Sequence, residues 1–174
     1  MSGFTGHKLG LKFPRHAHVI AAKEMLPAEY FDSLFKFAFV RNPWDLQVSS
    51  FHHIKRERPE VMNGITDFNE FMRYKFDPNR PYQYHIDTSL SLQTDYLVDL
   101  HGELVVNFFG KYENLQEDFD KVCEKVGVSK KQLPERRRAK DRDSDYRSYY
   151  DDESIKLVTD HFSRDINVLR YVFE

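Results

Sequence analysis

One stretch, FKFAFVRNPWDLQVSSFHH (35–53), limits the possible folds more than any other. Residues 36–40, KFAFV, are too short and too apolar for a helix and fit a buried strand of a parallel sheet. Asn42-Pro43 follows as a helix start, because asparagine accepts hydrogen bonds from free N–H groups and proline suits the first helical position. That helix is expected to run to about Glu57, ahead of Pro59. Arg41 is left at the carboxyl end of the strand, where open α/β sheets bind their ligands. A guanidinium beside a helix N-terminus is suited to grip an anion, and Ser49, just over two turns on, adds a hydroxyl to a ligand that reaches along the helix. The competing reading pairs Arg41 with Asp45 across the first turn, a weak surface arrangement.

The rest of the chain supports a single α/β domain over 1–174 with a partly parallel sheet flanked by helices. Residues 1–34 form an irregular and helical N-terminal part, with helices expected over 18–26 and from Pro27. Residues 35–57 are the strand and helix above, and 58–92 form a helical insertion. In that insertion Phe68, Phe71, Met72 and Lys75 fall at helical spacing, and 76–85 reads as a loop. Residues 93–174 supply a second buried strand, ELVVNFFG (103–110), and a helix over 113–127. Asn114 and Glu117 suggest a capping box for that helix, Gly127 its end, and Leu115, Phe119, Val122 and Val126 its apolar stripe. A charged loop over 133–150 precedes a C-terminal helix with an acidic first turn.

Bulk composition narrows the function. The formal net charge is −2 with 31% charged residues, so the chain as a whole is no nucleic-acid binder and any basic function must be local. Cys123 is the lone cysteine, which rules out an intrachain disulfide and points to a reducing, cytoplasmic compartment. No apolar run is long enough to span a bilayer.

The stretch FKFAFVRNPWDLQVSSF resembles the 3′-phosphate-binding signature of the sulfotransferases, an apolar strand followed by Arg-x-Pro and a serine eight residues after the arginine. FFGKYENLQEDFDKVCEKVGV (108–128) and YRSYYDDESIKLVTDHFSRDINVLRYVF (146–173) resemble later segments of the Golgi-type and bacterial carbohydrate sulfotransferases, in the same order. The resemblance implies a P-loop-nucleotide-hydrolase-like core and the donor 3′-phosphoadenosine-5′-phosphosulfate (PAPS), with adenosine-3′,5′-bisphosphate as product. It also implies that Arg41 and Ser49 hold the donor's 3′-phosphate. Lys140, Arg142 and Arg147 then become candidate donor contacts from a loop that folds over the nucleotide, with Gln93 a weaker one. The acceptor is expected to be a hydroxyl, on a glycan by this likeness, and the chemistry needs no metal.

The family's N-terminal phosphosulfate loop, Pro-Lys-(Thr/Ala/Ser)-Gly-(Gly/Thr)-(Thr/Ser), has no counterpart in SGFTGHKLGLKFPRH. The core is therefore expected to be N-terminally incomplete, with an open strand edge that invites oligomerisation. His16 and His18 are the candidates for the base that takes the acceptor's proton; His52, His53 and His85 are weaker ones. His16-x-His18 lacks a third zinc ligand at useful spacing, so no metal site is expected. Two alternatives remain: a non-catalytic relative that binds an anion or partner, and a small kinase, which would need a Walker motif that is missing.

Overall fold

The computed structural model describes residues 17–134 and 142–174. In chain order it contains α1 (Val19–Met25), α2 (Ala28–Ser33), β1 (Phe37–Val40), α3 (Pro43–Glu57), α4 (Phe68–Phe76) and α5 (Tyr84–Thr88). Then follow β2 (Phe108–Lys111), α6 (Leu115–Val126), α7 (Asp152–His161) and α8 (Ser163–Leu169). β1 and β2 pair in parallel, from Phe37 opposite Phe108 to Val40 opposite Lys111. Parallel partners need a long crossover, and α3 to α5 supply it. The α/β expectation holds, with two strands in the sheet among the described residues.

Helix α3 is the hub. Its Trp44, Val48, Phe51 and Ile54 are buried, and they join Phe68, Phe71 and Met72 of α4, Val158 of α7 and Leu169 of α8 in one apolar cluster. Phe51 meets Phe68 edge to face, with ring centroids 5.6 Å apart. Each such side chain contributes about 2–3 kcal/mol through burial. At the cross-strand pair Phe39–Gly110 only glycine fits, since an added Cβ would lie 2.6 Å from Phe39 Cε1 and 2.8 Å from Asp118 Cβ. Asp118 is drawn in to accept the Lys111 N–H at 2.7 Å, which ties α6 to the end of β2.

Several local expectations need correction. The second strand spans Phe108–Lys111 rather than 103–110. Ahead of it, Leu104 bridges back to Val98 in an antiparallel turn that Gly102 closes at φ +82°. Asn114 makes no side-chain cap on α6, because a 3₁₀ turn over Tyr112–Asn114 runs straight into the helix and Leu115 N–H bonds to the Tyr112 carbonyl. Glu117 instead pairs with Lys121, and Val126 is 45% exposed because the buried side of α6 turns through Asp118, Val122 and Cys123. The loop expected over 76–85 gives way to α5 from Tyr84, whose five residues are too few to show a helical period. The C-terminal helix breaks at Phe162, which is fully buried and turns the chain from α7 into α8.

Lys75 lies on the apolar face of α4, as its spacing places it, and is 1% exposed. Its ammonium donates to Gln47 Oε1 at 2.5 Å and to Ser50 Oγ at 3.4 Å, both neutral acceptors. Desolvation, aided by the Arg80 charge and opposed by Asp87, draws its pKa down to about 7. In the unfolded chain a lysine titrates near ~10.4, so between these values the unfolded state holds a proton that the folded state has lost. Stability therefore rises with pH across that window and is lowest below its foot, by at most roughly 5 kcal/mol. Urea midpoints of the native chain are expected to increase from pH 7 to pH 9.5 more steeply than those of Lys75→Met. Equal slopes in the two proteins would contradict this account.

Candidate functional site

Three distant segments fix the junction of β1 and α3. Arg41 N–H donates to Gln93 Oε1 and its carbonyl accepts from Gln93 Nε2, both at 2.8 Å, so one side-chain amide stands in for a neighbouring strand. Gln93 is itself held by Asp165, a fully buried carboxylate of α8 that accepts the N–H groups of Gln93 and Thr94 and the Thr94 hydroxyl. Asn42 N–H donates to Glu113 Oε1 at 2.7 Å, and Tyr171 donates its hydroxyl to Glu113 Oε2 at 3.1 Å. Asn42 Oδ1 then accepts the N–H groups of Trp44 and Asp45, capping α3 as the sequence suggested.

At this fixed corner two guanidiniums share one carboxylate. Arg41 Nε donates to Asp45 Oδ2 at 2.5 Å, and Arg142 Nη2 donates to Asp45 Oδ1. The Arg41 guanidinium also lies 4.3 Å over the ring of Tyr112. Both arginine side chains are 16% exposed, and Asp45 is 14% exposed. The trio alone carries one net positive charge beside the N-terminus of a 15-residue helix, and the Glu113 carboxylate on Asn42 N–H acts on Arg41 from nearby. Burial draws both guanidiniums below their ordinary pKa, and for Arg142 the charge on Arg41 adds to the effect. Arg142 Nε is buried with no acceptor among the described residues. An unpaired buried donor of this kind is costly, and a second anion would satisfy both the charge and the donor.

The remaining site residues sort themselves by position. Asp45, Ser49 and His52 share one face of α3, at i, i+4 and i+7. The segment beginning at Arg142 crosses that face: Arg142 meets Asp45, and the Tyr149 hydroxyl lies 3.0 Å from His52 Nε2 while accepting the Asp143 N–H at 2.8 Å. Half-buried Ser49 lies on this face between the two anchors. The structure thus brings Arg41, Ser49 and Arg142 to one helix face. Arg147 stands apart, forked on Asp145 at 2.7 and 2.9 Å and half exposed. His18 precedes α1 and stacks on Tyr96, centroids 4.3 Å apart, in the segment that follows Gln93. His16 and Lys140 lie outside the described residues.

Of the two readings of Arg41, the pairing with Asp45 is present in the structure. Sequence reasoning missed Glu113, Asp165, Tyr112 and Tyr171, which position the corner. Glu113 stands in a Glu-Asn-Leu triplet whose acid had a readable signal, but Asp165 was indistinguishable from a surface acid of an amphipathic helix.

A model of the sulfotransferase family matches residues 12–172. The chain belongs to that family. A protein of Archaeoglobus fulgidus described as uncharacterized is 35% identical over 100 residues, covering 56% of this chain and 72% of the relative. Carbohydrate sulfotransferase 11 of Mus musculus is 34% identical over 125 residues, covering 56% of this chain but 34% of its own length. No solved structure matches. The matched residues include both arginines of the corner and Asp45 between them.

An incoming anion is expected to compete with Asp45 for the same two arginines. Asp45→Asn is expected to lower the melting temperature in phosphate-free buffer and to bind inorganic phosphate about tenfold more tightly. A phosphate titration followed by thermal unfolding checks this, and equal affinities would show that Asp45 does not compete.

Proposed function

We propose that this chain transfers a sulfuryl group from PAPS to a hydroxyl of a carbohydrate. The observation that carries the reading is the pair of half-screened guanidiniums on Asp45 at the start of α3, with Arg142 Nε unpaired, in a chain of the sulfotransferase family. In this reading the donor's 3′-phosphate displaces Asp45, accepts from Arg41 and Arg142, and takes a further hydrogen bond from Ser49. Lys140 of the same basic loop is a further candidate donor contact, and Arg147 would have to leave Asp145 to become one. β1 and β2 are then two parallel strands of a nucleotide-hydrolase-like sheet, with the nucleotide at their carboxyl ends.

The acceptor oxygen attacks sulfur in line, the bond from sulfur to the bridging phosphate oxygen breaks, and adenosine-3′,5′-bisphosphate departs. The acceptor's proton passes to a base, for which His18 is the described candidate and His16 its neighbour. Positioning and stabilisation of charge on the leaving oxygens supply most of the rate. A carbohydrate acceptor is favoured by the likeness to a relative named for that activity.

Calorimetry tests the donor assignment. Adenosine-3′,5′-bisphosphate is expected to bind, AMP to bind at least about tenfold more weakly, and Arg41→Ala to abolish the difference. Failure of the folded chain to distinguish the two nucleotides would overturn it. His18→Ala is expected to lower kcat about 10²–10⁴-fold while leaving bisphosphate affinity unchanged. Unaltered turnover would remove His18 from the chemistry.

A further inference from the structure

The segment joining α4 to Gln93 is more firmly built than a connection requires. Arg80, with a side chain only 6% exposed, forks onto Asp87 through Nη2 at 2.7 Å and Nη1 at 3.0 Å. Its Nε donates to the Lys75 carbonyl at 2.8 Å, and Asp87 Oδ2 also accepts the Gln83 N–H at 2.7 Å. This clamp displays Tyr82 and Tyr84, which are 72% and 60% exposed, the two most exposed large aromatic side chains among the described residues. Gln83 between them is extended, at φ −136° and ψ 108°. Side chains two apart on extended backbone leave on the same side, with a strand spacing of about 7 Å. The Tyr84 ring is braced edge to face by His85, centroids 5.3 Å apart.

Leaving two tyrosines in water forgoes the stabilisation that burying them would bring, yet an ion pair of buried Arg80 with partly exposed Asp87 holds their segment there. The other exposed residues of the segment are Asp77, Pro78, Asn79, Pro81 and Thr88 rather than further large apolar side chains, which does not suit a broad apolar protein contact. Arg80 is committed to Asp87, so the turn offers an anion no free guanidinium. Rigid aromatic faces with hydroxyl rims suit a ligand with apolar C–H faces and a hydroxyl periphery, which describes a pyranose ring. The display is also coupled to the donor corner. The Ser89 carbonyl at the end of α5 accepts from Gln47 of α3 at 3.3 Å, and the same segment continues to Gln93, which grips Arg41.

We propose that Tyr82 and Tyr84 form a stacking platform for a pyranose ring of the acceptor; this rests on the carbohydrate-acceptor reading above. Saturation-transfer NMR with the methyl β-glycosides of glucose, galactose and N-acetylglucosamine, each at high millimolar concentration, tests it. The native chain, the double variant Tyr82→Ala/Tyr84→Ala and the double variant Tyr82→Trp/Tyr84→Trp are compared. Transfer to the ring C–H protons of at least one glycoside is expected, reduced at least about fivefold by alanine and retained with tryptophan. No transfer from any glycoside, or transfer that survives the alanine pair, would overturn the platform. Bisphosphate calorimetry on the same three proteins separates the two claims. Glycoside contact without bisphosphate binding would leave the platform standing and the donor assignment fallen; the reverse would do the opposite.

Discussion

Asp45 has to neutralise two guanidiniums at once, and much of the surrounding structure exists to keep that imbalance in place. A single carboxylate bonds both Arg41 and Arg142, with Glu113 acting on Arg41 from further off, and all three side chains of the bonded trio are mostly shielded from water. The N-terminus of α3 adds its own partial positive charge. Left unconstrained, either arginine would swing out to solvent. Arg41 does not, because its backbone is pinned by Gln93 and its side chain packs on Tyr112, and Arg142 sits at the start of a segment that Tyr149 fastens to His52.

The corner is thus preorganised by polar contacts that reach across the sequence. Asp165 of α8 orients Gln93, Gln93 holds the end of β1, and Glu113 joins Tyr171 to the cap of α3. The opposite side of α3 is occupied by the core, where Gln47 and Ser50 face the buried Lys75. One helix therefore presents a face that carries Asp45 with its two arginines and a core face.

Local elements were legible in the chain where one interaction dominates. The apolar run before Arg41, Asn42 as a cap and the spacing of Phe68, Phe71, Met72 and Lys75 each reflect a single short-range rule, and the structure forms all three elements. Only Val40 of the first strand is buried, however, and Phe37 is 44% exposed where a buried strand was expected. The Arg41–Asp45 pair was visible as an i, i+4 spacing. What stayed hidden depends on tertiary contacts. Nothing local distinguishes Asp165 from an exposed acid, and the capping box expected at Asn114 failed because a 3₁₀ turn met the same need. The joining of Arg142 to Asp45 was equally unreadable, since it spans most of the chain. The sulfotransferase likeness indicated which arginines to watch, while the shared carboxylate that makes them a site appeared only in three dimensions.

The most direct test is a crystal structure of the chain with adenosine-3′,5′-bisphosphate. The account predicts the 3′-phosphate between Arg41 and Arg142 at the start of α3, with both guanidiniums moved from Asp45 to phosphate oxygens and the Ser49 hydroxyl within hydrogen-bond reach. A bound bisphosphate that leaves both Asp45 ion pairs intact would contradict it.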